Sequence, residues 1–484
     1  MEATRDFRLK FSMKLFTPIF AFFTWVLLST GPVGALTFDE ARHLLARTGF
    51  GLAPEAEIKP LMPLTHEEAV DRILETTITE PVTSVPKFRR HPTDRPKVRK
   101  MDGPTRNAHQ KALREDRNDL RFWWIREMLA TPSPLTERMV LFWHNHFVSE
   151  ANKVQYGQWL YSQNAIFRKF GLGDFRKLLI ETSIDPAMMI YLDANKNKRN
   201  NPNENFAREI LELFTLGEGH VYTEEDIRES ARAYTGWRIN AKSAEFEFRL
   251  GLHDNGVKNV LGESGTFDGI DVIDIILKQP RVGEFIAEKL WREFVSLNVD
   301  RQEVKRIGAL LHQHKYQLKP VLKAILMSEA FRDPANRGSL VKSPVELTIG
   351  TLRFLGLTEA APRRIWNHQR RMGQNLLDPP DVKGWRGGLA WITSTSTLGR
   401  NQFLSASFRG VRNSAKVQDM AMINERKFPF GMADSRPFQS RERREPGYLK
   451  KLMLAVDPVM NRRSEGPQRV VFRNILLDPA YQVK

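Results

Sequence analysis

The sequence predicts a mainly α-helical protein with one small β-hairpin, built as a single large domain after a signal peptide. Apolar residues recur at helical spacing along most of the chain, and capping residues and glycines bound these segments. The pattern changes to a period of two only within residues 244–261, which therefore predict the hairpin. With 484 residues, 41% of them hydrophobic, the chain is long and apolar enough to bury a large core.

The first 35 residues have the pattern of a signal peptide. Four Lys and Arg residues precede an apolar stretch, residues 15–28, and small residues follow it. The segment 33–35 fits a signal-peptidase site with cleavage after Ala35. Because the apolar stretch is short and Pro18 interrupts it, we expect no lasting transmembrane anchor. The predicted location is periplasmic or secreted.

The helical domain is predicted over residues 36–405. Its first two helices span 38–47 and 67–74, and a long helix runs from about Arg117 to Ala130. Ser133 then caps a helix that is apolar nearly all round. Such a helix belongs in the core.

Two basic segments flank or interrupt this domain. Residues 80–117 carry eleven Lys and Arg residues and five prolines with few apolar residues, which predicts an exposed, flexible insertion. From Arg409 onward, sixteen Lys and Arg residues face eight Asp and Glu. Residues 406–484 are therefore predicted to form a basic, weakly structured extension.

The helix within residues 203–217 holds the strongest candidate site. Asn201 is its predicted N-cap. Glu204, Arg208 and Glu212 share one face, with Glu209 beside them. Such carboxylates could bind a metal or act as acid and base. The alternative is a buried salt-bridge ladder to arginines of the following helix, Arg228 and Arg232.

His144 and His146 point about 200° apart on a helix, so they cannot share one metal ion. His146 continues an apolar stripe and should face inward, where carboxylates of other elements could join it as metal ligands. The alternative is that both are core histidines bonded to the backbone.

Two further loops carry candidate residues. His253 and Lys258 lie at the predicted hairpin turn, where they could bind an anion or orient water, or merely shape an Asx-type turn. Trp385, with Trp391, could form an aromatic platform for sugar rings, or pin its loop by packing into the core.

The overall charge favours anionic partners. The formal net charge is +17 at pH 7, which suits acidic polysaccharide, anionic lipid or nucleic acid; the alternative is a basic surface that is simply solvated. No nucleic-acid-binding motif is present, so specific nucleic-acid binding is not expected. The chain has no cysteine, which excludes disulfides and thiolate chemistry. The absence of a P-loop, a Rossmann fingerprint and a nucleophile elbow disfavours nucleotide and serine-based chemistry.

Ten short motifs, in order along residues 37–405, carry a resemblance to a known family. They are RHLL at 42–45, GFG at 49–51, WHNHF at 143–147, DPAM at 185–188, NENFAREILELFTLG at 203–217, YTEED at 222–226, ARAYTGW at 231–237, HDNGVK at 253–258, KSPVE at 342–346 and PPDVKGW at 379–385. The chain resembles the bacterial family called domain of unknown function 1800. The resemblance implies an exported, mostly helical protein without an assigned activity. Its relatives are often encoded beside an exported sulfatase-like protein, which implies a partner.

The leading hypothesis is a hydrolase-like envelope protein acting on an anionic or saccharide substrate. The candidate cofactor is a divalent metal, and the candidate residues fall into three roles. The catalytic candidates are Glu209, Glu212 and His253; the substrate-binding candidates are Arg208, Asn203, Asn205, Lys258 and Trp385; the metal candidates are His146, Glu209 and Glu212. The alternative is a non-catalytic binding partner of the sulfatase-like protein or of an acidic polysaccharide.

Overall fold

The computed structural model describes residues 34–94, 100–412, 433–434, 441–442, 444–460 and 467–484. The predicted signal peptide, apart from its last two residues, lies outside these ranges. Within them, no helix combines the length and the apolar character needed to cross a bilayer.

The chain is mainly helical, as the sequence predicts. The first eleven helices are α1 (Phe38–Thr48), α2 (Glu55–Ile58), α3 (His66–Glu75), α4 (Gly103–Ala130), α5 (Pro134–His146), α6 (Ala151–Val154), α7 (Gly157–Phe170), α8 (Phe175–Ile184), α9 (Pro186–Tyr191), α10 (Glu204–Glu209) and α11 (Glu224–Ala233). A π-helix, Ile210–Thr215, continues α10.

The remaining helices complete the same hydrophobic core. They are α12 (Gly269–Leu277), α13 (Pro280–Phe294), α14 (Arg301–Gln313), α15 (Leu318–Met327), α16 (Glu329–Arg332), α17 (Pro344–Phe354), α18 (Pro362–Arg371), α19 (Ser394–Gly410), α20 (Tyr448–Met453) and α21 (Gln468–Leu476).

The short strands pair differently from the predicted hairpin over 244–261. β1 (Trp237–Ile239) pairs antiparallel with β2 (Phe246–Phe248), and β3 (Lys258–Val260) pairs with β4 (Glu263–Gly265). The turn signal at His253 therefore joins two hairpins instead of closing one. A third, parallel pair joins β5 (Val411–Arg412) to β6 (Ala433–Asp434).

Side-chain caps determine where several helices begin. Thr223 and Asp226 form the expected reciprocal capping box at the start of α11. The predicted cap of α10, Asn201, is wrong: Asn203 caps this helix by accepting the backbone N–H of Asn205. The side chain of Asn197 accepts the backbone N–H of Asn203 at 2.9 Å and holds Asn203 in an extended conformation. The helix therefore begins only at Glu204.

The predicted basic insertion contains regular structure. Helix α4 begins well before Arg117, and its buried carboxylates anchor the segment that precedes it. Asp116 accepts the backbone N–H of Arg89 at 2.9 Å, and Glu127 accepts that of Val82 at 2.9 Å. The segment around residues 82–90 is therefore packed along α4.

The described parts of the predicted extension, residues 406–484, also differ from our expectation. Helices α20 and α21 pack on each other, and α21 packs on α19. Tyr481 is completely buried, and Lys484 is only 3% exposed. The extension thus supplies part of the core and, as described below, part of a cleft.

Candidate functional site

Arg208 is the centre of an ion-pair network on α10. Its guanidinium lies 3.3 Å from Glu204, 3.2 Å from Glu212 and 2.8 Å from Glu224 at the start of α11. Hydrogen bonds to these carboxylates raise the pKa of Arg208. With three carboxylate partners this side chain has little capacity left for an anionic substrate. The geometry supports the salt-bridge ladder, although through Glu224 and not through the arginines predicted to form it.

Those two arginines of α11 pair elsewhere. Arg228 contacts Glu225 within its own helix. Arg232 lies 2.8 Å from both Glu229 and Asp254, so it ties α11 to the loop before β3.

Glu209 is the one carboxylate candidate of α10 outside this ladder. It is half-buried, and among the described residues its carboxylate has no hydrogen-bond partner. Burial, followed by the nearby charge of Glu212, raises its pKa to about 7. It directly precedes the π-helix, a rare conformation that frequently occurs at functional sites.

His146 is a core histidine, as the alternative interpretation predicted. Its Nε2 lies 3.0 Å from the carbonyl oxygen of Phe214, and aromatic rings of three helices surround it. Burial lowers its pKa to about 3. Within the described ranges, no three His, Asp or Glu side chains lie close enough together to hold a metal ion. His146, Glu209 and Glu212 therefore do not form the proposed ligand set.

His253 and Lys258 shape the loop between the hairpins. The Nδ1 atom of His253 lies 2.9 Å from the carbonyl oxygen of Thr235. The Lys258 ammonium donates to the carbonyl oxygens of Asp254 at 2.6 Å and Gly256 at 3.0 Å. Burial lowers the pKa of Lys258. Both side chains are bonded to the backbone, which favours the turn-forming interpretation.

The two asparagine candidates are also engaged with the backbone. Asn203 caps α10, and the side-chain amide of Asn205 donates to the carbonyl oxygen of Leu192 at 3.1 Å. They fix the start of α10 instead of presenting amides to a ligand.

A cleft of about 380 Å³ opens between α5, α13, the start of α17 and the loop at 383–391. This loop is hereafter called the tryptophan loop. Two glutamates, Glu293 and Glu346, line the cleft together with six cationic side chains. The cations are Arg138, Lys289, Arg292, Lys383, Arg386 and Lys484.

The floor of the cleft is a buried ion cluster. Arg138 contacts Glu293 and lies 2.5 Å from Glu346, which Lys484 also contacts. Burial alone would raise the pKa of Glu346, but the two cations hold it at about 2. The two carboxylates of this floor are therefore paired with cations of the protein itself.

The four other cations line the rest of the cleft. Arg292 lies 3.1 Å from Glu288, and Lys383 lies 2.7 Å from Glu218. Lys289 and Arg386 have no carboxylate partner among the described residues. Lys289 is half-buried beside the ring of Phe285, and burial lowers its pKa. The cleft thus presents two uncompensated cations.

Asn145 holds the tryptophan loop in place. Its Oδ1 accepts the backbone N–H of Trp385 at 2.6 Å, and its amide donates to the carbonyl oxygen of Trp385 at 3.2 Å. Trp385 is 7% exposed and Trp391 8% exposed. These tryptophans pin the loop and line the cleft, without forming an open platform for sugar rings.

The family model described as "Protein of unknown function (DUF1800)" matches residues 43–472. The chain belongs to the DUF1800 family. The matched range includes the basic insertion and most of the extension, although none of the ten motifs lies in either segment. Comparison of this DUF1800 protein with curated proteins and with solved structures gave no significant match.

Of the residues predicted to act in this DUF1800 protein, His146, Trp385 and Trp391 line the cleft. The other candidates are not among its lining residues. Sequence reasoning missed the cations that line it, because they come from distant segments. A signal was nevertheless present: the motif at 342–346 ends in Glu346, the buried carboxylate of the floor.

Proposed function

We propose that this protein binds an anionic ligand of the cell envelope in the basic cleft, and that the ligand is an acidic saccharide polymer. The observation that carries the proposal is Lys289, a half-buried ammonium without a carboxylate partner in the described structure. Withdrawing such a charge from water costs free energy unless a counter-charge arrives. A bound anion supplies that counter-charge.

The arrangement of the cleft supports this binding function. The two cations without a carboxylate partner in the described structure, Lys289 and Arg386, give the cleft a positive field, and a concave site concentrates it. Its volume lies in the range of ligand-binding clefts, and the tryptophan loop gives it an ordered wall.

A soluble acidic polymer tests the proposal. Titration of the full chain with polygalacturonate, beside the uncharged polymer dextran, should show salt-sensitive binding of the acidic polymer alone. Lys289→Gln should weaken it by about tenfold, and Lys305→Gln, which removes an exposed cation on α14, should leave it unchanged. Equal binding of both polymers, or equal affinities of the two variants, would overturn the proposal.

A second candidate function is hydrolysis with Glu209 as the acid or base. An unpaired carboxyl whose pKa is about 7 suits proton transfer near neutral pH, and Lys383, which lines the cleft, is close enough to lower that pKa. Incubation with acidic glycans, followed by analysis of chain length, tests this function. Cleavage that is lost in Glu209→Gln and kept in Glu204→Gln supports it. Absence of cleavage in the parent protein would contradict it.

We also propose a periplasmic or secreted location and association with an exported sulfatase-like protein. The basic surface supports an electrostatic association. Co-purification of the two proteins that falls as salt is added would support this partnership. A complex that never forms at low salt would argue against it.

A further inference from the structure

Three large apolar side chains are exposed beside the mouth of the cleft. Leu389 is 75% exposed, Ile392 44% and Leu297 40%. Single exposed leucines are ordinary on protein surfaces, whereas grouped ones mark interaction sites. These three residues are hereafter called the apolar rim.

The apolar rim is contiguous. Leu389 lies in a 3₁₀ turn, Gly388–Trp391, and its carbonyl oxygen accepts the backbone N–H of Ile392 at 2.9 Å, so the two residues are adjacent across one turn. Leu297 lies against Gly388, since a Cβ atom placed there would stand 2.8 Å from its Cδ1. The turn and the segment after α13 thus form one apolar edge.

Cations adjoin this edge. Arg386 precedes the turn, is exposed and has no carboxylate partner in the described part of the chain. Arg292 is also exposed and donates to the carbonyl oxygen of Leu297 at 3.1 Å. Exposed leucines bordered by arginines form the combination that binds at the interface of an anionic bilayer.

We propose that the apolar rim docks this protein on a bilayer containing anionic lipid, with the mouth of the cleft turned toward the headgroups. The inference rests on the proposed function, because it assigns the anions of the cleft to a membrane-bound source. Charge complementarity selects a lipid surface: the apolar rim enters the acyl boundary while Arg386, which has no carboxylate partner in the described structure, meets a phosphate. An apolar protein partner would not need the cations, and a soluble anion would not need the leucines.

The absence of cysteine makes a direct test feasible. Leu389→Cys in the full chain provides one thiol for a polarity-sensitive fluorophore, and Leu250→Cys is the matched control. Leu250 is also an exposed leucine in a 3₁₀ turn, at 63% exposure, but it lies between the hairpins. The probes are vesicles of phosphatidylcholine alone and of phosphatidylcholine with phosphatidylglycerol, each carrying a nitroxide-labelled lipid.

We expect the emission of the label at position 389 to shift to shorter wavelength and to be quenched by the nitroxide lipid only on the anionic vesicles. The emission of the label at 250 should not change on either kind of vesicle. In the unlabelled chain, Leu389→Asn with Ile392→Asn should reduce vesicle affinity by about tenfold. If the label at 389 shows the same emission wavelength and the same lack of quenching as the label at 250 on anionic vesicles, the membrane proposal is overturned. If the label at 389 stays in water but the parent protein still binds polygalacturonate, only the membrane proposal fails. If the parent protein does not bind polygalacturonate, the proposed function fails.

Discussion

The side chain of Lys484 contacts the buried carboxylate of Glu346, which lies 138 positions earlier in the chain. The contact ties the end of the described structure to the first turn of α17, and Arg138 of α5 shares the same carboxylate. Three distant segments therefore meet at one negative charge, which also forms the floor of the cleft.

Glu346→Gln should destabilise the fold strongly. The substitution leaves Arg138 and Lys484 buried beside a neutral amide, and breaking a buried ion pair in this way costs about 3–5 kcal/mol. Chemical denaturation measures the free energy of unfolding. Glu181→Gln, at an exposed position on α8, is the control and should change it by less than about 0.5 kcal/mol. Equal stability of the two variants would show that the cluster contributes little.

Asp185 should make stability depend on pH between about 4 and 8. Burial raises its pKa from the ordinary 3.8 to about 8, and its Oδ1 lacks a hydrogen-bond partner in the described structure. Between these values the folded state holds a proton that the unfolded chain has released, so the free energy of unfolding falls as pH rises. Asp185→Asn, which resembles the protonated acid, should flatten this part of the profile. Parallel profiles of variant and parent would contradict the assignment.

Gly384→Ala should disturb the tryptophan loop. Its φ is +76°, and an added Cβ would lie 2.3 Å from the Oδ1 of Asn145, the atom that accepts the backbone N–H of Trp385. We expect a loss of about 1–3 kcal/mol and weaker polygalacturonate binding. Gly387→Ala isolates the clash, because this glycine also has a positive φ of +69° but no atom within 4 Å of the added carbon. Its backbone, with a ψ of −170°, lies in a region that only glycine adopts readily, so this variant should also lose about 1–3 kcal/mol but should keep polygalacturonate binding.

Lys289→Met should stabilise the unliganded protein while impairing it as a binder. The substitution removes a half-buried, unpaired charge and keeps an apolar side chain beside Phe285, so we expect a gain of about 1 kcal/mol. Thermal unfolding without ligand measures this gain. A decrease in stability would mean that the ammonium makes a favourable interaction in the free protein.

Local sequence signals predicted helices well and long-range pairing poorly. Thr223 and Asp226 act within one turn, so their capping box could be recognised from spacing alone. The start of α10 at Asn203 depends on the side chain of Asn197, a contact that spacing does not reveal. In the same way, the turn signal at His253 predicted that β2 pairs with the strand that follows it, whereas β2 pairs with the preceding strand, β1.

The candidate site shows the same division. Charged residues on an apolar helix correctly indicated a polar network around Arg208, but the sequence could not show that Glu224 completes it. Helical spacing placed His146 in the interior, where the structure has it. The cleft itself brings together Lys289, Arg386 and Lys484. No motif or spacing in the sequence links these three residues.

His146 touches the cleft, yet it contributes no charge there under mild acid, because its pKa is about 3. Neighbouring His144 is equally buried and has a pKa of about 3 as well. The two histidines therefore add no positive charge to the cleft between about pH 5 and pH 7, and its cations are lysine and arginine. Protonation of these two histidines in mild acid is therefore not a means by which this cleft could capture or release an anion.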